Sequence, residues 1–268
     1  MGHATSPLAA LVRLPFEHWE ERRLAAQASH WSLPHHVGLI LDGNRRFARE
    51  TGLGSVVEGH ARGADKLHEV LRWFYDVGVK VVTVWIFSLE NFQRQPEEVQ
   101  GLLGLIEKRT RELKSHPDVH HYGIKVRYLG RLELLPEGLR QAIREAEEAT
   151  AHYTGHQLNV AIAYGGRQEI ADAVCAYLRE HGRNGHTPAD LAAEFTAETL
   201  DRYLYTAGVP DPDLIIRTSG EVRLSGFLLW QSAYAEYYFC DNYWPAFRQI
   251  DLLRALRAYH RRQRRFGR

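Results

Sequence analysis

Val37-Gly-Leu-Ile-Leu-Asp-Gly-Asn-Arg-Arg46 is an unbroken apolar run that ends in a polar, glycine-bearing turn and opens into a helical pattern. An apolar run of this length with no polar alternation reads as a buried strand. Outward from it, β-rich apolar runs recur at 37–41, 81–87, 124–129, 157–163 and 213–216. Helical periodicity fills the gaps at roughly 60–77, 97–114, 137–152, 167–181, 190–203 and 247–263, with Pro96, Pro136 and Pro188 where helices start and Gly78 where one stops. Such alternation predicts an α/β fold built on a mostly parallel central sheet flanked by helices. No linker or composition break divides the 268 residues, so we expect one catalytic domain over 31–268 behind an N-terminal helical extension, 1–30.

In such open sheets a ligand crevice lies beyond the carboxyl ends of the strands. Three polar clusters occur there: Asp42-Gly-Asn-Arg-Arg46, Ser88-Leu-Glu-Asn-Phe-Gln-Arg94 and Arg217-Thr-Ser-Gly-Glu-Val-Arg223. The last belongs to Asp213-Leu-Ile-Ile-Arg-Thr-Ser-Gly-Glu-Val-Arg-Leu-Ser225, which delivers two arginines and two serines into one turn, a donor set for a multiply charged anion. Diphosphate is the natural guest. Gly43 permits a close turn whose N–H groups, with Arg46, can cradle a second phosphate group, and Asp42 is a hard oxygen ligand suited to Mg²⁺. Taken alone, a strand followed by Asp-Gly reads first as a plain structural turn with a solvated Asp, and the neighbouring clusters reverse that reading. No G-x-x-x-x-G-K-[ST] and no G-x-G-x-x-G follows the first strand, which removes support for nucleotide hydrolysis and dinucleotide binding.

Composition narrows the classes further. A hydrophobic content of 44% with 25% charge is ordinary for a globular protein, and the net charge of +1 selects no partner. Lysine occurs only at 66, 80, 108, 114 and 125 among the 34 basic residues, so arginine dominates, as oxyanion recognition or a nucleotide bias would both produce. Cys175 and Cys240 are far apart and suggest packed thiols in a reducing cytosol. No run is long enough to span a bilayer, and residues 1–30 lack signal-peptide features. The apolar stripe Leu8, Leu11, Val12, Phe16, Trp19 and Leu24 predicts a helix packed on the body, with peripheral membrane contact as the alternative. His116, His120 and His121 lack metal-ligand spacing and read as a solvated loop. The arginines from Arg254 to Arg265 raise nucleic-acid binding, which we set aside against a solvated basic helix.

Four stretches together, His36 through Ala48, Phe87 through Arg94, Asn159-Val-Ala-Ile-Ala-Tyr-Gly-Gly-Arg167 and Asp213 through Phe239, resemble the cis-prenyltransferase family in order and spacing. The similarity runs from about His36 to Arg265-Phe-Gly267. It implies a Mg²⁺-dependent head-to-tail condensation of isopentenyl diphosphate with an allylic diphosphate, forming a Z double bond and releasing pyrophosphate. By carry-over, Asp42 arranges the metal with Glu236 as its second carboxylate, and Gly43, Asn44, Arg45, Arg46, His60 and Arg94 surround the allylic diphosphate. Arg217, Arg223 and Ser225 hold isopentenyl diphosphate, while Ser88 and Asn91 orient that substrate for proton removal. The tail Arg265-Phe-Gly267 reaches a partner's isopentenyl site, which implies a cytoplasmic homodimer.

The family's product tunnel runs between the sheet and the helices at 60–77 and 97–114. Strand alternation puts Val82, Val84 and Ile86 on one face, so Ile86, where long-chain relatives usually have Ala, is expected to block the tunnel near its mouth. With Arg45-Arg-Phe47, this resembles the actinobacterial short-chain branch that makes Z,E-farnesyl diphosphate from geranyl diphosphate. The alternatives are a long-chain polyprenyl diphosphate synthase and a non-catalytic partner subunit. Such subunits lose the Asp-Gly-Asn and Arg-Thr-Ser-Gly residues, and both sets stand here.

Overall fold

A computed structural model describes residues 7–182 and 187–262 of the chain, with side chains from residue 17 onward. Six strands, β1 (His36–Ile40), β2 (Val81–Ser88), β3 (Ile124–Leu129), β4 (His156–Tyr164), β5 (Leu214–Arg217) and β6 (Glu236–Phe239), form one sheet in the order β3-β4-β2-β1-β5-β6. Every neighbouring pair is parallel. Parallel strands need crossovers. These contain α2 (Asn44–Glu50), α3 (Val56–Val77), α4 (Pro96–Leu113), α5 (Pro117–His121), α6 (Glu137–Thr150), α7 (Gly166–Gly182), α8 (Pro188–Glu194) and α9 (Ala197–Asp201), with α1 (Pro7–Ala28) and α10 (Gln249–Arg261) at the two ends.

The α/β expectation holds, and β6 is the strand that periodicity does not reveal. Its Glu-Tyr-Tyr-Phe is only four residues long and half-buried throughout, as an edge strand can be. The single helix expected over 190–203 is two short ones, because Phe195 leaves helical geometry and Thr196 caps a new start by accepting from the N–H of Thr199. Gly38 in the middle of β1 is a packing requirement: a Cβ there would lie 2.5 Å from Ile215 and 2.9 Å from Phe227. The body closes over this face of β1 so tightly that only glycine fits.

The C-terminal half of α1 packs on the body, with Leu24 and Ala28 buried against Ile250 and Leu253 of α10. Ion pairs from Glu20 to Arg254 and from Glu17 to Arg248, each at 2.6 Å, flank that seam. Trp19 faces outward beneath the guanidinium of Arg23. Leu8, Leu11, Val12 and Phe16 lie outside the described side chains. No helix among the described residues is long and apolar enough to cross a membrane.

Candidate active site

Register brings the three polar clusters to one end of the sheet. Ile40 pairs with Trp85 on one side and with Arg217 on the other, so Asp42, Ser88 and Arg217 emerge from adjacent strands at the same level. The Asp42 carboxylate then becomes a hub. Its Oδ2 accepts from Arg217 Nη2 at 2.7 Å, its Oδ1 lies 3.4 Å from Arg46 Nη2, and its backbone carbonyl accepts from Thr218 Oγ1 at 2.7 Å. Burial alone would raise the Asp42 carboxyl, but the hydrogen bond and charge of Arg217, with Ser219 and Arg46, outweigh it and hold the group ionised below its usual range.

Arg217 is almost completely buried. Its Nη1 donates to Ser225 Oγ at 2.8 Å and to the Arg223 carbonyl at 2.6 Å, so one guanidinium spans Asp42 and the whole turn. Ser219 and Ser225, at φ 79° and 53°, each precede a glycine that is also left-handed, a costly backbone for serine that sets their hydroxyls to accept from Arg46 and Arg217. The Gly43 turn is equally constrained. Gly43 is the N-cap of α2 at φ 108° with no side-chain cap, and a Cβ on it would meet the ring of Tyr243 at 2.8 Å. The same ring stacks under the Arg46 guanidinium at 5.5 Å.

Four buried polar atoms around this hub have no hydrogen-bond partner: Asn44 Oδ1, Arg45 Nε, His60 Nε2 and Arg217 Nε. Buried polar groups are normally paired, so a cluster of orphans at one place marks where a polar ligand belongs. Two carboxylates already approach the cations. Glu221 accepts from Arg46 Nη1 at 3.0 Å and also from Arg223. Glu98 accepts from Arg94 Nη1 at 3.0 Å and lies 3.4 Å from Arg45 Nε and 3.9 Å from His60 Nε2. Sequence reasoning missed Glu98, Ser219, Glu221 and Tyr243. Glu221 and Ser219 stand inside a quoted motif, but only the folded turn shows which cation each one meets.

His60 is nearly buried, and burial, with Arg94 and Arg45, lowers its imidazole to about 4 against the opposing pull of Glu98. His36, fully buried between the Pro210 carbonyl at 2.6 Å and Thr83 Oγ1 at 2.7 Å, is lowered to about 4 chiefly by burial. Both are neutral near pH 7. The unfolded chain, with imidazoles near 6.5, binds protons that the folded chain refuses, so stability should fall as pH drops from about 6.5 to about 4, by up to about 3 kcal/mol for each group. Urea melts across that range check this, and a His36→Gln variant should show a shallower slope.

Ser88 and Asn91 occupy a 3₁₀ turn over Leu89–Gln93, where Asn91 Oδ1 accepts from the Ser88 N–H at 3.1 Å. Glu236 does not join Asp42. It starts β6 in register with Leu214, at the opposite end of the strands, and accepts from Arg262 Nη1 at 2.6 Å. Within one chain the two carboxylates expected on one metal are separated by the length of the strand. No cluster of three or more metal-ligating side chains forms among the described residues. Arg265 and Gly267 lie outside the described residues.

From this hub an apolar cavity of about 820 Å³, its open mouth included, runs between the sheet and helices α3 and α4. Leu41, Asn44 and His60 border the mouth, and Tyr128, Thr110 and Leu113 the far end. Its lining runs from His60 to Leu71 along α3 and from Leu102 to Leu113 along α4, about 16 Å on each helix at 1.5 Å per residue. Ile86 lines one wall without closing it, since the lining continues past it to Leu158, Val160 and Tyr128. Strand alternation puts Ile86 on this face, and it does line the cavity; the bulge at Ile86, with Trp85 paired to Ala161 and Phe87 to Ile162, adds Phe87 to the same side of the sheet. Val82 and Val84 are core, not cavity wall.

Residues 40–267 match the undecaprenyl diphosphate synthase family of prenyltransferases. The chain is 51% identical to the (2Z,6E)-farnesyl diphosphate synthase of Thermobifida fusca, over 96% of this chain and 99% of that one. It is 52% identical to the geranylgeranyl-diphosphate-specific tritrans,polycis-undecaprenyl-diphosphate synthase of Methanopyrus kandleri, over 92% and 90%. The crystal structure of lavandulyl diphosphate synthase from Lavandula x intermedia, in complex with dimethylallyl diphosphate, superposes with a TM-score of 0.80 at 34% identity, covering 88% of this chain and 99% of that one.

Proposed function

The chain belongs to the undecaprenyl diphosphate synthase, or cis-prenyltransferase, family and is a prenyl transferase, and we propose that it joins isopentenyl diphosphate to a short allylic diphosphate to give a C15 product with a new Z double bond. The observation that carries this reading is the group of orphaned buried polar atoms around Asp42, two of them on Asn44 and His60 at the mouth of an apolar, roughly 16 Å cavity. A charged head and an apolar tail fit such a site together. With carbon–carbon bonds of about 1.5 Å, an extended isoprene unit spans about 5 Å, so the cavity suits about three units. Ten units would need about 50 Å. The two curated relatives make short and long products at nearly equal identity, so overall similarity does not choose between them, and the cavity favours the short one.

Asn44, Arg45, Arg46, His60 and Arg94, around the Gly43 turn, would bind the allylic diphosphate, and Arg217, Arg223 and Ser225 the isopentenyl diphosphate. Glu221 and Glu98 hold the arginines in place until phosphate oxygens replace them. Positioned cations are worth most where charge grows on the departing pyrophosphate. Mg²⁺ fits the donor set, because Asp42 stays ionised and magnesium is commonly held by one or two carboxylates together with substrate phosphates. Held by Asp42, the ion would neutralise charge on the leaving oxygens. Neutral His60 can donate to a phosphate without repelling Arg45 or Arg94. Ser88 and Asn91 would face the isopentenyl chain beside Asp42.

A cytoplasmic homodimer, in which Arg265-Phe-Gly267 and Glu236 of one copy serve the other, would complete the isopentenyl and metal sites. The partner-subunit reading loses support because the Asp-Gly-Asn and Arg-Thr-Ser-Gly sets are intact. The test is product analysis with Mg²⁺, labelled isopentenyl diphosphate and dimethylallyl, geranyl or E,E-farnesyl diphosphate as primer. A C15 alcohol from geranyl diphosphate, after dephosphorylation, is the expected result. Products near C50 would assign the protein to long-chain synthesis, and no product with any primer would overturn the enzymatic reading.

A further inference from the structure

We infer that the ring of Tyr128, fixed by its hydrogen bond to Thr110, is the floor of the cavity and sets the length of the product; this rests on the prenyl-transfer reading above. Tyr128 lies on β3, the outermost strand on its side of the sheet. From Asp42 the cavity crosses β2 at Ile86 and β4 at Val160 before it reaches β3, and no strand lies beyond. Three strand spacings make about 14 Å across the sheet. The chain end of a three-unit product would therefore arrive at the Tyr128 ring.

The ring is held from above. Its hydroxyl and Thr110 Oγ1 lie 2.9 Å apart and both residues are buried, so each hydroxyl satisfies the other in apolar surroundings. Burial also pushes the Tyr128 hydroxyl up, which keeps the pair neutral. Swinging the ring aside to admit a fourth unit would strand both hydroxyls without partners. A packed interior gives way little to added methylenes. Tyr128 thus stops the chain by its volume, and Thr110 stops Tyr128 from moving.

The experiment is product analysis on Tyr128→Ala, Tyr128→Leu and Tyr128→Phe beside the parent protein, with folding checked by circular dichroism. The alanine and leucine variants are expected to extend the main product by one five-carbon unit or more, to C20 and beyond. Tyr128→Phe keeps the ring's volume but loses the bond to Thr110, and is expected to retain the parent product as the main one with a minor share one unit longer. If alanine fails to fold, leucine decides. Folded alanine and leucine variants that give the parent's product would overturn the inference while leaving prenyl transfer standing, whereas a parent protein that extends no primer overturns both.

Discussion

An Asp42→Ala variant is expected to lose at least about 10³-fold in kcat/KM, since it removes the carboxylate proposed to hold the metal. The structure adds a second consequence. Arg217 is almost fully buried and its Nη2 is paired with Asp42, so the alanine variant strands a buried cation. Breaking a buried pair by removing one partner costs up to about 3–5 kcal/mol. Here Asp42 is 28% exposed, and water can reach the gap, so a loss of roughly 2 kcal/mol is the better expectation. Asp42→Asn separates the two effects. Its amide oxygen can still accept from Arg217, so it should melt near the parent yet remain inactive for want of charge. Steady-state kinetics and thermal melts on both variants check this; near-normal turnover in either would remove Asp42 from its proposed role.

The second large effect is expected at Arg217. Replacement by Lys keeps the charge but cannot hold Asp42, Ser225 and the Arg223 carbonyl at once, because an ammonium lacks the planar fork that reaches all three. We expect isopentenyl diphosphate to bind at least about 10²-fold more weakly, in line with the 2–5 kcal/mol lost when a buried charged partner is truncated. The allylic substrate should lose less, since Arg46 and the Gly43 turn remain. Titration calorimetry with each diphosphate separates the two. Equal weakening of both substrates would mean that Arg217 organises the whole hub and does not favour one pocket.

These expectations rest on the burial of Arg217, which no sequence pattern reveals. The motif containing it is readable because chemistry demands particular residue types: two arginines and small hydroxyls for an oxyanion, a glycine where Tyr243 crowds the turn. What Glu221 and Glu98 do is not readable. A carboxylate in a basic motif looks like a solvated charge until folding places Glu221 against Arg46 and brings the α4 carboxylate Glu98 to Arg45 of α2 and His60 of α3.

The sequence by itself determined the parallel α/β architecture, because buried strands and amphipathic helices impose different periods on apolar residues. It marked the arginine- and serine-bearing turn as a candidate anion site as well, because phosphate chemistry restricts which side chains can stand at a strand end. The tertiary structure alone decided the depth of the cavity. Strand alternation puts Ile86 on a wall of the cavity but cannot say how far the cavity runs past it, and the distance from Asp42 to Tyr128 depends on the spatial order of strands that are 86 residues apart in the chain. Only the register across β1, β2, β4 and β3 turns those separate side chains into the mouth, wall and floor of one cavity.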